Sequence, residues 1–148
     1  MKKIIFLDQG LAAGGAEKIL CTIMASLDKK SYDIHLVLTN HLSSLAHLVP
    51  DHVTVHELHK THTRKSLVSL MKLFRKLKPD LVFSSLSRST ILSVITRLLC
   101  SRYKIIGRYP NMPSREISEG VLSGWRLFLN KTLLKRVDKV IAQTDEMK

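Results

Sequence analysis

Short apolar runs alternate with longer amphipathic stretches along the whole chain. This alternation restricts the possible folds more than any other feature. Lys2 to Asp8, Tyr32 to Thr39, Val53 to Leu58, Leu81 to Ser85, Tyr103 to Arg108 and Lys139 to Gln143 read as strands. Most are near-continuous apolar runs, the pattern of strands covered on both faces. Helical spacing appears between them. After Gly15 it places Ile19, Leu20, Ile23, Met24 and Leu27 together. Ser66 to Lys78 turns Leu67, Leu70, Met71, Phe74 and Leu77 one way and Lys72, Arg75 and Lys76 another, and Pro79 ends it. Ser89 to Cys100 is expected to gather Ile91, Leu92, Ile95, Leu98 and Leu99 on one side, and Val121 to Val137 uses Leu122, Trp125, Leu129 and Leu133. A short turn or helix over Ser43 to Val49 stops at Pro50. The pattern predicts an α/β fold: a Rossmann-like three-layer α/β/α arrangement around a parallel sheet of about six strands.

In such sheets ligands bind outside the carboxyl ends of the strands. That rule singles out Gly10 to Glu17, Ser84 to Arg88, Arg108 to Ser114, and Gln143 to Asp145. The first carries the clearest chemistry. A strand breaks into Gly10-Leu11-Ala12-Ala13-Gly14-Gly15-Ala16-Glu17-Lys18, and a helix follows at once. Glycines permit tight turns and close backbone approach, and a helix start offers unpaired N–H groups and a positive dipole end to a phosphate. The loop lacks the Lys-Ser/Thr end of a P-loop and does not make G-x-G-x-x-G. Gly14 and Gly15 are therefore expected to contact a ligand. Glu17 lies in the first helical turn, where an acid either complements the dipole or joins a site. Arg88 is expected in the loop after the fourth strand, either binding a phosphate or acidic sugar or simply solvated. Arg108 ends the fifth strand, where a charge needs an anionic partner or water.

At 148 residues the chain fits one domain with a full core, and a hydrophobic fraction of 45% indicates a globular protein. No apolar run approaches the ~18 residues of a membrane span. Ile4 to Leu7 meets Asp8 too soon to serve as the core of a signal peptide. Cys21 and Cys100 fall in helical patterns outside any C-x-x-C pair and read as reduced, packed thiols, which suits the cytoplasm. The formal charge of +12 attracts anions. Basic residues are spread out with few interleaved aromatics, so nucleic acid is not the expected partner. The basic helices, including Arg126, Lys131, Lys135 and Arg136 beside Trp125 and Phe128, can either wet their charges or rest on an anionic membrane. Seven histidines lie between His35 and His62, but the spacing of His56 and His59 across a strand end argues against a metal site. Thr144-Asp145-Glu146 reads as the start of a further helix, so the chain is expected to be part of a longer protein.

Four segments in order carry a family resemblance. Gly14-Gly15-Ala16-Glu17-Lys18 after a first strand resembles the G-G-A-E-R/K signature of retaining GT-B glycosyltransferases of family 4, or group 1. Leu48-Val49-Pro50 resembles the family's connection into the third strand, and Lys78-Pro79-Asp80-Leu81-Val82 its "K-P-D-V-V" start of the fourth. Asp138-Lys139-Val140-Ile141-Ala142-Gln143-Thr144 resembles its "a-D-x-V-I-a-x-S" start of the sixth. The resemblance implies that residues 1–148 form the N-terminal, acceptor-side domain of a two-domain enzyme, inactive without its donor-side half. It implies transfer of a sugar from a nucleotide-sugar donor to a saccharide or lipid-linked acceptor, with retention, in bacterial-type surface polysaccharide or glycolipid assembly on the inner face of the membrane. Gly14 and Gly15 would approach the donor phosphates. No metal or other cofactor is implied, in keeping with the absence of an Asp-x-Asp motif. Many relatives carry a histidine after the fifth strand. Here that loop reads Gly107-Arg108-Tyr109-Pro110-Asn111-Met112-Pro113, and Arg108 and Asn111 can take that place. The alternative is a stand-alone Rossmann-like module that binds a phospholigand or nucleic acid without catalysis.

Overall fold

The computed structural model describes residues 1–12, 14–41, 44–60, 63–85, 87–100, 102–109, 132–133 and 135–142. Strands β1 (Lys2–Asp8), β2 (Tyr32–Leu38), β3 (Thr54–Glu57), β4 (Leu81–Ser84), β5 (Lys104–Tyr109) and β6 (Lys139–Ala142) form one sheet in the order β3-β2-β1-β4-β5-β6. Every pairing is parallel. The expected six-stranded Rossmann-like sheet is therefore the observed one. The chain grows outward from β1 to β3, returns, and grows the other way from β4, so strand order reverses between β1 and β4.

Alternation along β1 divides the core. Ile4 and Phe6 point to one face, where Leu20, Cys21 and Met24 of helix α1 (Gly15–Ser26) cover them with Ile34, Leu36 and Leu38 of β2. Ile5 and Leu7 point to the other, where they meet Leu70 and Phe74 of helix α2 (Thr63–Leu77) and Leu92 of helix α3 (Ser87–Cys100). This is the three-layer arrangement. Phe6 and Phe83 pack at 5.3 Å between ring centres on the first face, and Phe74 meets Tyr103 edge-on at 5.4 Å on the second.

Two helices begin earlier than the sequence pattern predicts. α2 starts at Thr63, so the predicted first residue, Ser66, lies inside it. The Ser66 hydroxyl is buried and donates to the Lys60 carbonyl at 3.2 Å, tying the helix back to the preceding chain. α2 ends as expected before Pro79, with Lys78 in the left-handed region at φ 51°. α3 starts at Ser87, and its inward face differs from the predicted one. Ser89, Thr90, Ser93 and Thr96 are buried beside Leu92 and Val94, while Leu98 and Leu99 are exposed. Ser93 and Thr96 donate to the carbonyls of Thr90 and Leu92, both at 2.7 Å, which makes burial of their hydroxyls tolerable. The predicted short element before Pro50 is a single 3-10 turn, Ala46–Leu48. Most of the predicted helix from Val121 to Val137 lies outside the described residues.

The two aspartates in the strand-start motifs act alike. Asp80 and Lys3 exchange backbone and side-chain bonds: the Asp80 amide donates to the Lys3 carbonyl at 2.9 Å, and the Lys3 amide to Asp80 Oδ2 at 2.7 Å. Asp138 repeats this with Ile105, at 3.0 and 2.8 Å. Each carboxylate fastens the start of one strand to its neighbour and fixes the register. Among the described residues, no helix is long and apolar enough to cross a membrane.

Candidate functional site

The crevice where strand order reverses lies at the carboxyl ends of β1 and β4, and the chain leaves β1 there at Gln9. Gly14 caps α1 with φ −91° and ψ 160°, and no side chain caps the helix. The Gly14 amide donates to the Ala12 carbonyl at 2.8 Å and closes a tight turn, but none of Gly10, Gly14 and Gly15 occupies the left-handed region, so a positive φ is not what requires glycine here. They provide room. A Cβ on Gly14 would run into the Glu17 carboxylate, which folds back over the helix start. A Cβ on Gly10 would lie 3.1 Å from the His41 carbonyl oxygen, so this glycine lets the loops after β1 and β2 close on each other. A Cβ on Gly15 would meet nothing within 4 Å. The first helical bond is from the Lys18 amide to the Gly14 carbonyl at 3.3 Å, and the amides of Gly15, Ala16 and Glu17 have no acceptor among the described residues. The helix start is thus open at Gly15, with the Glu17 carboxylate lying beside Gly14.

Beneath it lies a cavity of about 340 Å³ lined by Asp8, Gln9, Gly10, Ala12, Glu17, Asn40 and His41. Its floor is acidic. Asp8 is the last residue of β1 and is completely buried. Its Oδ1 accepts the Gln9 amide at 2.5 Å, and no donor among the described residues reaches Oδ2. Burial raises its pKa to about 6. The Gln9 amide opposes that shift, the Glu17 charge adds to it, and the Gly10 amide again opposes it.

Arg108 lies across the crevice on β5 and is 4% exposed. Its Nη1 donates to the Ser85 hydroxyl at 3.1 Å. Burial lowers the guanidinium pKa and the field of Glu17 raises it, so Arg108 and Glu17 sense each other across the strand ends. The guanidinium remains charged. Beneath Ser85, the Ser84 hydroxyl bonds Thr90 at 2.8 Å and holds α3 against β4. Arg88 does not lie in the predicted loop. It sits in the first turn of α3 and is exposed. Asn111 lies outside the described residues.

The structure therefore brings Gly14, Gly15 and Glu17 together at one helix start, with Arg108 within electrostatic reach. Sequence reasoning missed Asp8, Gln9, Asn40 and His41. Asp8 carried a readable signal: a charge ending a buried apolar run, the same feature that singled out Arg108. The histidines are dispersed. His35 Nδ1 and His56 Nε2 lie 3.0 Å apart on adjacent strands, and His59 pairs with Glu57 at 3.3 Å. No group of three or more potential metal ligands occurs among the described residues.

A family model described as "Glycosyl transferase 4-like" matches residues 11–144. Among solved structures, the chain is similar to HepE from Anabaena, determined in complex with UDP, with a TM-score of 0.70 and 21% identity over 99% of this chain and 39% of that one. It is similar to the lipopolysaccharide outer core galactosyltransferase WaaB, with a TM-score of 0.72 and 11% identity over 99% and 40%. It is also similar to sucrose-phosphate synthase from Thermosynechococcus elongatus, with a TM-score of 0.71 and 12% identity over 95% and 42%. The TM-scores establish a shared fold, and the chain spans only about two fifths of each of these proteins. No curated protein sequence gives a match.

Proposed function

We propose, from the premise that the chain belongs to the glycosyl transferase 4-like family, that it forms the acceptor-side part of a retaining glycosyltransferase. The enzyme moves a sugar from a nucleotide-sugar donor to a saccharide or lipid-linked acceptor in surface polysaccharide or glycolipid assembly. The observation that carries this reading is the open start of α1. It stands at the reversal of strand order, with unpartnered amides and no side chain over Gly15. Charge develops on the leaving diphosphate as the glycosidic bond breaks, and fixed amides and a helix dipole stabilise that charge without reorganising. Arg108 adds a positive charge across the crevice. UDP in the HepE structure supports a uridine nucleotide as one donor class. The net charge of +12 supports contact with an anionic lipid surface, where lipid-linked acceptors lie.

The test is turnover of radiolabelled nucleotide sugars by the full-length gene product, with the anomeric configuration of the product read by NMR. Transfer with retained configuration is expected. Ligand binding without any consumption of nucleotide sugar would replace this reading with that of a non-catalytic module. An inverted product would overturn retention.

A further inference from the structure

We propose that Asp8 receives a hydroxyl of an uncharged sugar at the floor of the cavity beneath α1, and that it selects against phosphorylated sugars at that position. The inference rests on the reading of the chain as the acceptor-side part of a glycosyltransferase. It assigns a specificity-determining role to a residue outside the glycine motif.

Four features converge on this assignment. Asp8 is fully buried at the end of β1 and is one of the residues that line the cavity, yet its Oδ2 has no donor among the described residues. Buried polar atoms normally have partners, and an orphan acceptor on a cavity-lining residue is the place where a donor from a bound ligand supplies one. The floor is also electrostatically selective. Asp8 and Glu17 repel a phosphate placed between them, whereas the positive end of α1 and the charge of Arg108 disfavour a cation. A neutral hydroxyl escapes both penalties, and a carboxylate accepts it in a charge-assisted bond about twice as strong as a neutral one. The walls supply further polar groups, Gln9, Asn40 and His41, suited to the remaining hydroxyls of a ring. Finally, at about 340 Å³ the cavity is near the lower end of the ~300–1,000 Å³ typical of small-ligand sites. The site thus divides: an anion at the open rim above Gly15, and a hydroxyl on the floor below.

The experiment follows amide NMR shifts of the ¹⁵N-labelled chain titrated with methyl β-D-glucopyranoside, methyl β-D-galactopyranoside or inorganic phosphate. At least one glycoside is expected to shift the amides of Gln9, Gly10 and Asn40. Asp8→Asn is expected to weaken that response by about tenfold, the loss of one charge-assisted bond. The same change strengthens the phosphate response, because one of the two repelling charges is gone. Amides on the far side of the sheet should keep their positions. Three results would overturn the proposal: neither glycoside shifts these amides; the variant binds the glycoside as well as the parent does; or phosphate binding is no stronger in the variant. Failure of Asp8→Asn to fold would also overturn it, by showing that the charge is required within the protein. Turnover of nucleotide sugars fails separately. Sugar transfer with no Asp8-dependent glycoside response removes only this role, and a glycoside response without transfer removes the transferase reading.

Discussion

Asp8→Asn should make the protein more stable, and the gain should depend on pH in one direction only. Burial raises the Asp8 pKa from 3.8 to about 6. The difference of about 2 units corresponds to about 3 kcal/mol against folding with the carboxylate ionised. The folded chain keeps a proton that the unfolded chain has released, so the penalty is small below pH 3.8, grows through the window up to about 6 and is constant above it. Asparagine removes the charge and keeps the Oδ1 acceptor for the Gln9 amide. Its new NH₂ takes the place of Oδ2, which has no partner among the described residues, at a cost of about 1 kcal/mol. The net gain near pH 7 is therefore about 2 kcal/mol, or roughly 4–8 °C in Tm for a chain of this size. Urea denaturation of both proteins from pH 4 to pH 8 measures it. The two stabilities should be close at pH 4 and separate as the pH rises, the variant being the more stable at pH 7. Equal stabilities at pH 7, or a gap that widens toward acid, would refute an unpaired buried carboxylate at the end of β1.

His56 carries the opposite dependence. Burial, His35 and Lys76 hold its imidazole below the ordinary histidine range, so the folded protein refuses a proton that the unfolded chain accepts. Stability from this group should fall as pH drops through the unfolded value of 6.5, and His56→Gln should flatten that slope in denaturation at pH 5–7. For Asp138, burial alone would raise the pKa, but the Ile105 amide and Arg97 outweigh it and hold the carboxyl below its usual range. Asp138→Ala should cost about 1–2 kcal/mol at pH 7, discounted for exposure. That cost should shrink as pH falls through the lowered folded pKa, and equal loss at every pH would argue against the ion pair. Cys21 is buried, and burial followed by the charges of Asp8 and Glu17 raises its thiol pKa. Alkylation by iodoacetamide should therefore track unfolding, and rapid reaction in native buffer would show that α1 opens.

The sheet was readable in the sequence because parallel strands buried on both faces leave near-continuous apolar runs, as Ile4 to Leu7 and, with His35 the one polar residue, Ile34 to Leu38 do. Helix boundaries were less readable because hydroxyl side chains have two uses. Ser66, the predicted first residue, bonds backward to Lys60 inside a longer helix. The buried face of α3 was misread for a related reason: Ser93 and Thr96 satisfy themselves on their own helix, so they bury without an apolar signature. The motif pointed to Gly14, Gly15 and Glu17, and in the structure Gly10 and Gly14 leave space for the His41 carbonyl and the Glu17 carboxylate without needing a positive φ. Asn40 and His41 join the cavity because the pairing of β1 with β2 continues past the strand ends, the Asn40 amide donating to the Gln9 carbonyl at 2.8 Å, a long-range contact with no local pattern. Asp8 was legible as a charge ending an apolar run, and its orphaned oxygen became visible only with its surroundings.

The most direct test of donor phosphates meeting the start of α1 is the rate of sugar transfer from a labelled nucleotide sugar by the full-length gene product carrying Gly15→Trp. A side chain at position 15 enters open space, so the fold should persist by circular dichroism, while the indole blocks approach to the helix amides. Loss of transfer with an unchanged spectrum is the predicted result, and a rate equal to that of the unaltered protein would contradict it.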